Sequence, residues 1–247
     1  MTGTVTSIWR HPIKSHGREE LSEVTLAAGM TMPGDRVWAV AHENSKADNT
    51  AWARPQSFSI VSRNPALMAI SAQLDDANNK VTLFHPELSD LNFDPDTEAQ
   101  AFLDWVAPLV PEGRAAPARI VRVPGRGMTD TRLASVTLCN MASHREVEKQ
   151  VGHELSILRW RGNIWFDGID AWEELAWVDR DVRIGEAVLR VHERTERCPS
   201  TKSNPDTGKH DVDTLAALNA FGHQDFSVRA EVITPGTIRP GDRVEVI

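Results

Sequence analysis

Tyrosine is absent from the 247 residues, cysteine occurs only twice, and basic side chains are outnumbered, with 27 Lys and Arg against 35 Asp and Glu. Each shortage excludes something. Cys139 and Cys198 make neither a disulfide framework nor a CxxC zinc pair, so a reducing compartment is the natural reading. A formal net charge of −8 argues against a chain whose main task is to hold nucleic acid, because that footprint is a basic patch or stripe. A local basic pocket remains open. No stretch is apolar for long enough to span a bilayer, and the first residues lack a basic region followed by an apolar run. The expectation is a cytoplasmic protein without membrane contact. There is no glycine-rich loop with Walker or GxGxxG spacing, and Gly125-Arg-Gly127 is too short to count. The nine histidines form no HExxH, and Ser143, Ser200 and Ser203 lack a G-x-S-x-G elbow.

Apolar and charged residues are present at the levels of an ordinary globular protein. Short alternating segments at Val5 to Trp9, Arg36 to Ala41, Leu67 to Leu74 and Val81 to His85, divided by Pro-Gly, Asn-Pro and Asn-Asn, predict strands and turns. Asp94-Pro95 predicts an N-cap with proline in the first helical position, and Ala101, Phe102, Trp105, Val106 and Leu109 share one helical face. The stretch from Val110 to Ala118 shifts to Pro, Glu, Gly, Arg and Ala and is the candidate boundary. Beyond it a strand is expected at Arg119 to Val123, an apolar run extends from Leu133 to Leu138, and alternation marks Val228 to Val232 and Val244 to Val246. Ser143 followed by Glu146 predicts a capping box that starts a helix ending at Gly152, and a second short helix is expected from Leu215 to Ala220. Pro33-Gly-Asp-Arg-Val37 recurs as Pro240-Gly-Asp-Arg-Val244, which turn chemistry feeding a strand explains without a duplication. The fold expected is mainly β (α+β), a β-barrel or sandwich core with a few short helices. Four of the eight tryptophans, Trp160, Trp165, Trp172 and Trp177, crowd one region, and core packing accounts for them.

The chemistry-bearing residues gather at turns. Cys198 follows Arg194 and Arg197 and precedes Pro199, so positive charge would favour its thiolate, the form that binds soft metals or attacks electrophiles. An ordinary half-buried cysteine is the bland alternative. Lys14-Ser15, Arg36, Ser143, Arg161 with Asn163, and Arg197 are each compatible with solvated surface groups. Together they would make an anion pocket with one thiolate.

In its motifs the chain resembles the MOSC proteins, named for the C-terminal domain of molybdenum-cofactor sulfurase, and is similar to the two-part form seen in the mitochondrial amidoxime reducing component. The residues that carry this are His11-Pro-Ile-Lys-Ser15, Gly34-Asp-Arg-Val-Trp38, Ser62-Arg-Asn-Pro65, Ala142-Ser143, Arg161-Gly-Asn-Ile164 with Asp167-Gly168, Val182-Arg-Ile-Gly185, Arg197-Cys198, Pro205-Asp-Thr-Gly208 and Gly236-Thr-Ile-Arg-Pro-Gly-Asp242. The resemblance implies a β-rich N-terminal part over 1–115 and a β-barrel MOSC domain over 116–247, with the first strands shared between them. It implies a molybdenum-molybdopterin cofactor whose metal is ligated by Cys198. Lys14, Ser15, Arg36, Ser143, Arg161, Asn163, Arg197 and Thr201 would hold the pterin and its phosphate. The Pro-Asp-Thr-Gly turn would shape the cysteine loop. Three departures stand out: His16 where relatives often carry cysteine, Gly162 in place of a frequent proline, and Met141 at an expected acidic or polar position.

The implied activity is a molybdenum-dependent oxidoreductase that reduces N-hydroxylated or N-oxide compounds, catalysis resting on Cys198. Its electrons would come from a separate partner, a ferredoxin, a flavoprotein reductase or a cytochrome b5-like protein. Protons would arrive through water, His16 or Asp167. The alternative from another class is a carrier in which Cys198 holds a persulfide or the pocket passes the cofactor on.

Overall fold

The computed structural model describes residues 2–247. The N-terminal half runs β1 (Thr2–Arg10), β2 (Glu19–Leu21), β3 (Val24–Leu26), β4 (Trp38–His42), β5 (Ser71–Asp75), β6 (Lys80–His85), β7 (Leu88–Phe93), α1 (Ala99–Val106) and β8 (Pro117–Arg122). Then follow β9 (Val136–Asn140), α2 (Met141–Val151), β10 (Ile164–Asp167), β11 (Asp181–Ile184), β12 (Ala187–Glu196), α3 (Thr214–Asn219), β13 (Asp225–Thr234), β14 (Gly236–Ile238) and β15 (Arg243–Val246).

Seven strands close on themselves in the order β10-β9-β13-β12-β11-β15-β1, with β1 pairing back to β10, and β2 extends the sheet beside β1. The protein is thus mainly β around a closed barrel. The barrel takes its first strand from the very start of the chain: Val5 faces Phe166 across one seam and Thr2 faces Glu245 across the other. Closure removes the free sheet edges that would otherwise template aggregation. β9 and β10 pair in parallel, which the helical crossover through α2 makes feasible. Alternation fills the barrel: Ala187, Leu189 and Val191 of β12 point inward against Val228, Ala230 and Val232 of β13. β10 shows no alternation because both its faces are covered, Ile164 and Phe166 in the barrel core and Trp165 in the cluster under α2.

A second apolar core lies in the N-terminal part. β5, β6 and β7 form a three-stranded sheet, β4 pairs with β8, and Phe102 and Val106 of α1 pack into the same cluster as Leu67, Ile70 and Leu83.

Several expected boundaries move. Leu67 to Leu74 is not one strand, because Pro65 opens a 3₁₀ turn over Pro65–Ala69 and the strand starts only at Ser71. α2 starts two residues before Ser143: Asn140 is the N-cap, its side chain accepting from the Ala142 N–H at 2.9 Å. The capping box at Ser143 and Glu146 does not form, since the Ser143 hydroxyl already hydrogen-bonds Glu174 at 2.7 Å. α1 is capped at Glu98 rather than Asp94, the Asp94-Pro95 pair forming a turn whose Asp94 N–H donates to the Glu98 carboxylate at 2.6 Å. Gly152 ends α2 in the left-handed region at φ +88°. Both Pro-Gly-Asp-Arg copies are turns that feed strands, the first β4 and the second β15.

Candidate functional site

A cavity of about 300 Å³ opens where the first barrel strand leaves the sheet, between Lys14-Ser15, Arg36, the segment around Ile60 and Ser62, Arg159 to Arg161, and the loop carrying Cys198 and Thr201. Three of its residues hold left-handed backbone despite being non-glycine: Ser15 at φ +65°, Arg36 at +52° and Arg161 at +51°. Such conformations persist only where surrounding structure fixes them, and they concentrate at functional sites.

Lys14 is 2 % exposed. Its ammonium donates to the Met128 carbonyl at 2.8 Å and to Asp130. Burial pushes the Lys14 amine below its ordinary pKa, opposed by Asp130. Burial alone would raise the Asp130 carboxyl, but Lys14 and Arg36 hold it below the usual carboxylate range.

Arg36 is aimed by a fully buried carboxylate. Asp35 accepts from the His11 N–H at 2.8 Å and pairs with the Arg36 guanidinium. Desolvation would raise the Asp35 carboxyl, yet Arg36 and His11 keep it ionised. Arg36 in turn donates to the Arg161 carbonyl at 2.8 Å, so the two arginines form one wall. Arg161 donates through Nη2 to the Gly17 carbonyl at 3.3 Å, while its buried Nη1 has no partner among the described residues. Burial, with Arg36 and Arg18 adding repulsion, lowers the Arg161 pKa to about 9, which leaves it charged at neutral pH.

Cys198 lies just beyond the end of the long strand β12 and is exposed, its Sγ 3.2 Å from the Ser200 hydroxyl. Pro199 opens a 3₁₀ turn, and Thr201 closes it by donating to the Cys198 carbonyl at 3.2 Å. The loop is pinned from beneath. Arg159 donates to the Thr201 carbonyl at 3.0 Å and pairs with Asp211 at 3.2 Å. Arg18 donates to the Pro205 carbonyl at 2.9 Å as well as to Met68 and Ile70, and a Cβ on Gly208 would press on the Ala66 backbone at 2.7 Å. The Pro-Asp-Thr-Gly turn therefore docks on the N-terminal part, away from the cavity wall.

Of the residues predicted from the sequence, Lys14, Ser15, Arg36, Arg161, Arg197, Cys198 and Thr201 line this one cavity. Arg197 does so with its nitrogens engaged elsewhere: they donate to Phe226 and Trp160 carbonyls at 2.9 Å and to the Ser227 hydroxyl at 2.7 Å, and the guanidinium lies over the Trp160 and Phe226 rings. It locks the cysteine loop to the barrel. Ser143 and Asn163 are not brought to the cavity. Ser143 is turned to the buried Glu174 and accepts from the Trp172 N–H at 2.8 Å. Asn163 stitches two strands, accepting from Thr137 N–H at 3.1 Å and donating to the Trp9 carbonyl at 3.1 Å. The proposed proton carriers lie off the site too. His16 is fully buried against Phe102 and hydrogen-bonded to the Lys14 carbonyl at 2.7 Å, and Asp167 is held bidentately by Arg145 at 2.7 and 2.9 Å.

Sequence reasoning missed Asp130, Arg159 and Glu196, which also line the cavity. Arg159 had a signal in Arg159-Trp-Arg161, two cations flanking an aromatic. Asp130 had none, because only the fold places it against Lys14. Cys139 is the buried apolar cysteine expected, its thiol pushed up to about 12 by desolvation.

The electrostatics favour an anion. Arg36, Arg159 and Arg229 have carboxylate partners in Asp35, Asp211 and Glu193, but Arg161 and Arg197 have none among the described residues. A buried guanidinium with an unpartnered N–H suits a phosphate. No three His, Cys, Asp or Glu side chains gather as a metal site among the described residues. A metal here would take one soft protein donor, Cys198, and its other ligands from an organic group. That division fits a pterin dithiolene. Among the described residues no helix is long and apolar enough to cross a membrane.

Comparison with known proteins adds the context. Residues 129–245 match the MOSC domain and residues 2–108 match the MOSC N-terminal beta barrel domain. No curated protein matches the sequence significantly. The crystal structure of the YUAD protein from Bacillus subtilis superposes with a TM-score of 0.51 at 13 % identity, over 100 % of this chain and 96 % of that one. YiiM from Geobacillus stearothermophilus aligns over 45 % of this chain and 53 % of its own at 16 % identity and a TM-score of 0.35. YiiM from Escherichia coli does so over 50 % and 57 % at 15 % identity and 0.35. At these identities the first likeness shows the fold alone.

Proposed function

The chain belongs to the MOSC family, whose domains are associated with molybdenum-cofactor binding, and from that premise we propose that it is a molybdenum-cofactor oxidoreductase acting on N-hydroxylated or N-oxide compounds. The observation that carries the reading is the meeting of the exposed Cys198 thiol and the partly unpartnered Arg161 guanidinium in one 300 Å³ cavity. Cys198 would ligate the metal. Arg161, Arg36, Lys14 and Ser15 would hold the phosphate and pterin, with Asp35 and Asp130 fixing the orientation of Arg36 and Lys14.

When bound, the molybdenum centre supplies the two-electron removal of oxygen from nitrogen. The balance is N–OH plus two electrons and two protons giving N–H and water, with electrons from a separate ferredoxin, flavoprotein reductase or cytochrome b5-like donor. The chain's own contribution is positional. Arg159 and Arg197 hold the Cys198 loop at both ends, and Ile60 and Val61 add apolar surface to the cavity lining.

The test is molybdenum and pterin content of protein from a cofactor-producing host, followed by turnover of an amidoxime with an artificial electron donor. About one metal per chain is expected, with Cys198→Ala abolishing turnover. Cofactor bound without turnover of any N-oxygenated compound would move the assignment to a carrier. A variant that keeps wild-type turnover would remove Cys198 as ligand.

A further inference from the structure

Behind the segment that walls the main cavity lies a second, smaller cavity of about 140 Å³. Its sides come from residues 58–64 and from the connection at 110–115, the same stretch whose composition marks the boundary between the two parts of the chain. Ile60 lines both cavities, so one strip of backbone has a cavity on each face.

The chemistry of this wall is unbalanced in a particular way. Asn64 is 5 % exposed, and neither its amide nitrogen nor its amide oxygen has a partner among the described residues. His42 uses Nε2 on the Gln56 carbonyl at 3.0 Å, which makes Nδ1 an acceptor, and that atom is buried without a partner too. At the rim stand Arg63 and Arg114, both exposed and neither engaged in an ion pair among the described residues. Two guanidiniums without a carboxylate partner suit a carboxylate or another oxyanion. The Asn64 amide adds a donor to the same end of a ligand. Asn64 Oδ1 and His42 Nδ1 ask for a donor in return. Phe58, with Ile60, supplies apolar surface for a short carbon skeleton.

We infer that this cavity is a binding site for a small hydroxy- or amino-carboxylate, separate from the cofactor cavity. Because Ile60 is common to both, occupancy here bears on the wall of the other cavity, and by linkage a ligand in either site changes affinity in the other by the same factor. The assignment is independent of the molybdenum reading. It uses the Ser62-Arg-Asn-Pro65 motif, whose Ser62 faces the cofactor cavity while Arg63 and Asn64 face this one.

The experiment is a titration of the full chain with glycolate, lactate and serine, using acetate and chloride as controls, followed through the side-chain amide resonances of Asn64 and the guanidinium resonances of Arg63 and Arg114. Saturable shifts with at least one of the three donor-bearing carboxylates are expected, several-fold stronger than with acetate. Asn64→Leu should weaken that binding about tenfold, the equivalent of one lost hydrogen bond, and Arg63→Ala with Arg114→Ala should abolish it. The surface arginine pair provides a control should Asn64→Leu fail to fold. Shifts that are absent, or linear and equal for glycolate, acetate and chloride, would overturn the site. Molybdenum content measured on the same samples reports separately on the cofactor reading.

Discussion

Gly162 packs against Cys139 so closely that a Cβ at position 162 would overlap the Cys139 sulfur, while the Cys139 Cβ would lie 3.6 Å away. The departure from the family's frequent proline is therefore matched by the residue behind it. A thiol occupies the space that a pyrrolidine ring needs.

Gly162→Ala is expected to cost about 1–3 kcal/mol through overpacking. Cys139→Ala in the same chain should recover most of that, because only the sulfur is in the way. A double-mutant cycle on thermal unfolding checks the coupling. Additive costs would show that the glycine serves the backbone instead.

The histidines near the cavity make stability depend on pH. Burial, with Arg161 and Arg36, lowers the His11 pKa to about 3, and burial with Arg161 adding repulsion lowers that of His16 to about 4. Folding keeps both neutral, whereas the unfolded chain protonates them near pH 6.5. Stability is thus full above pH 6.5 and falls as the pH drops toward 4, where the unfolded state gains protons the folded state refuses. His16→Gln should reduce the loss between pH 7 and pH 5 by about 2 kcal/mol. Denaturant midpoints at the two pH values measure it, and an unchanged difference would place a proton on His16 in the folded protein.

Ser143 separates the motif from the geometry. Its hydroxyl donates to the buried Glu174, whose carboxyl is pushed above its ordinary pKa by desolvation and drawn back by Ser143 and Asn140. Ser143→Ala should cost about 1–3 kcal/mol by leaving that carboxylate less satisfied. Molybdenum content per folded chain should not change, whereas Arg161→Met should lower it. Metal content falling in both variants would return Ser143 to the cofactor.

The sequence and the fold agree where a signal is local. Phe102 and Val106 share a helix face, Gly152 stops a helix, and Val228, Ala230 and Val232 alternate into the core, all readable from spacing. β12 carries the same alternation, with Ala187, Leu189 and Val191 inward, and runs almost directly into the cysteine loop. The motif residues Lys14, Arg36, Arg161 and Cys198 line one cavity, because each sits beside a turn that the fold gathers there. Ser143 and Asn163 do not line it. Both are motif residues, but their side chains point to partners, Glu174 and Trp9, that no spacing predicts. Asp130 lies 116 positions from the lysine it neutralises, and separation of that kind leaves no periodic trace.

The strand that begins the chain pairs Thr2, Gly3 and Thr4 with Glu245, Val244 and Arg243 at the other end. β1 has no partner on this side until β15, far along the sequence, is placed against it. Closing so long a loop is entropically costly and slow. The segment that follows the strand directly carries Lys14 and Ser15, which line the main cavity. The cavity wall at Lys14 and Ser15 therefore hangs from a seam between strands far apart in sequence, and loosening that seam would loosen the wall with it.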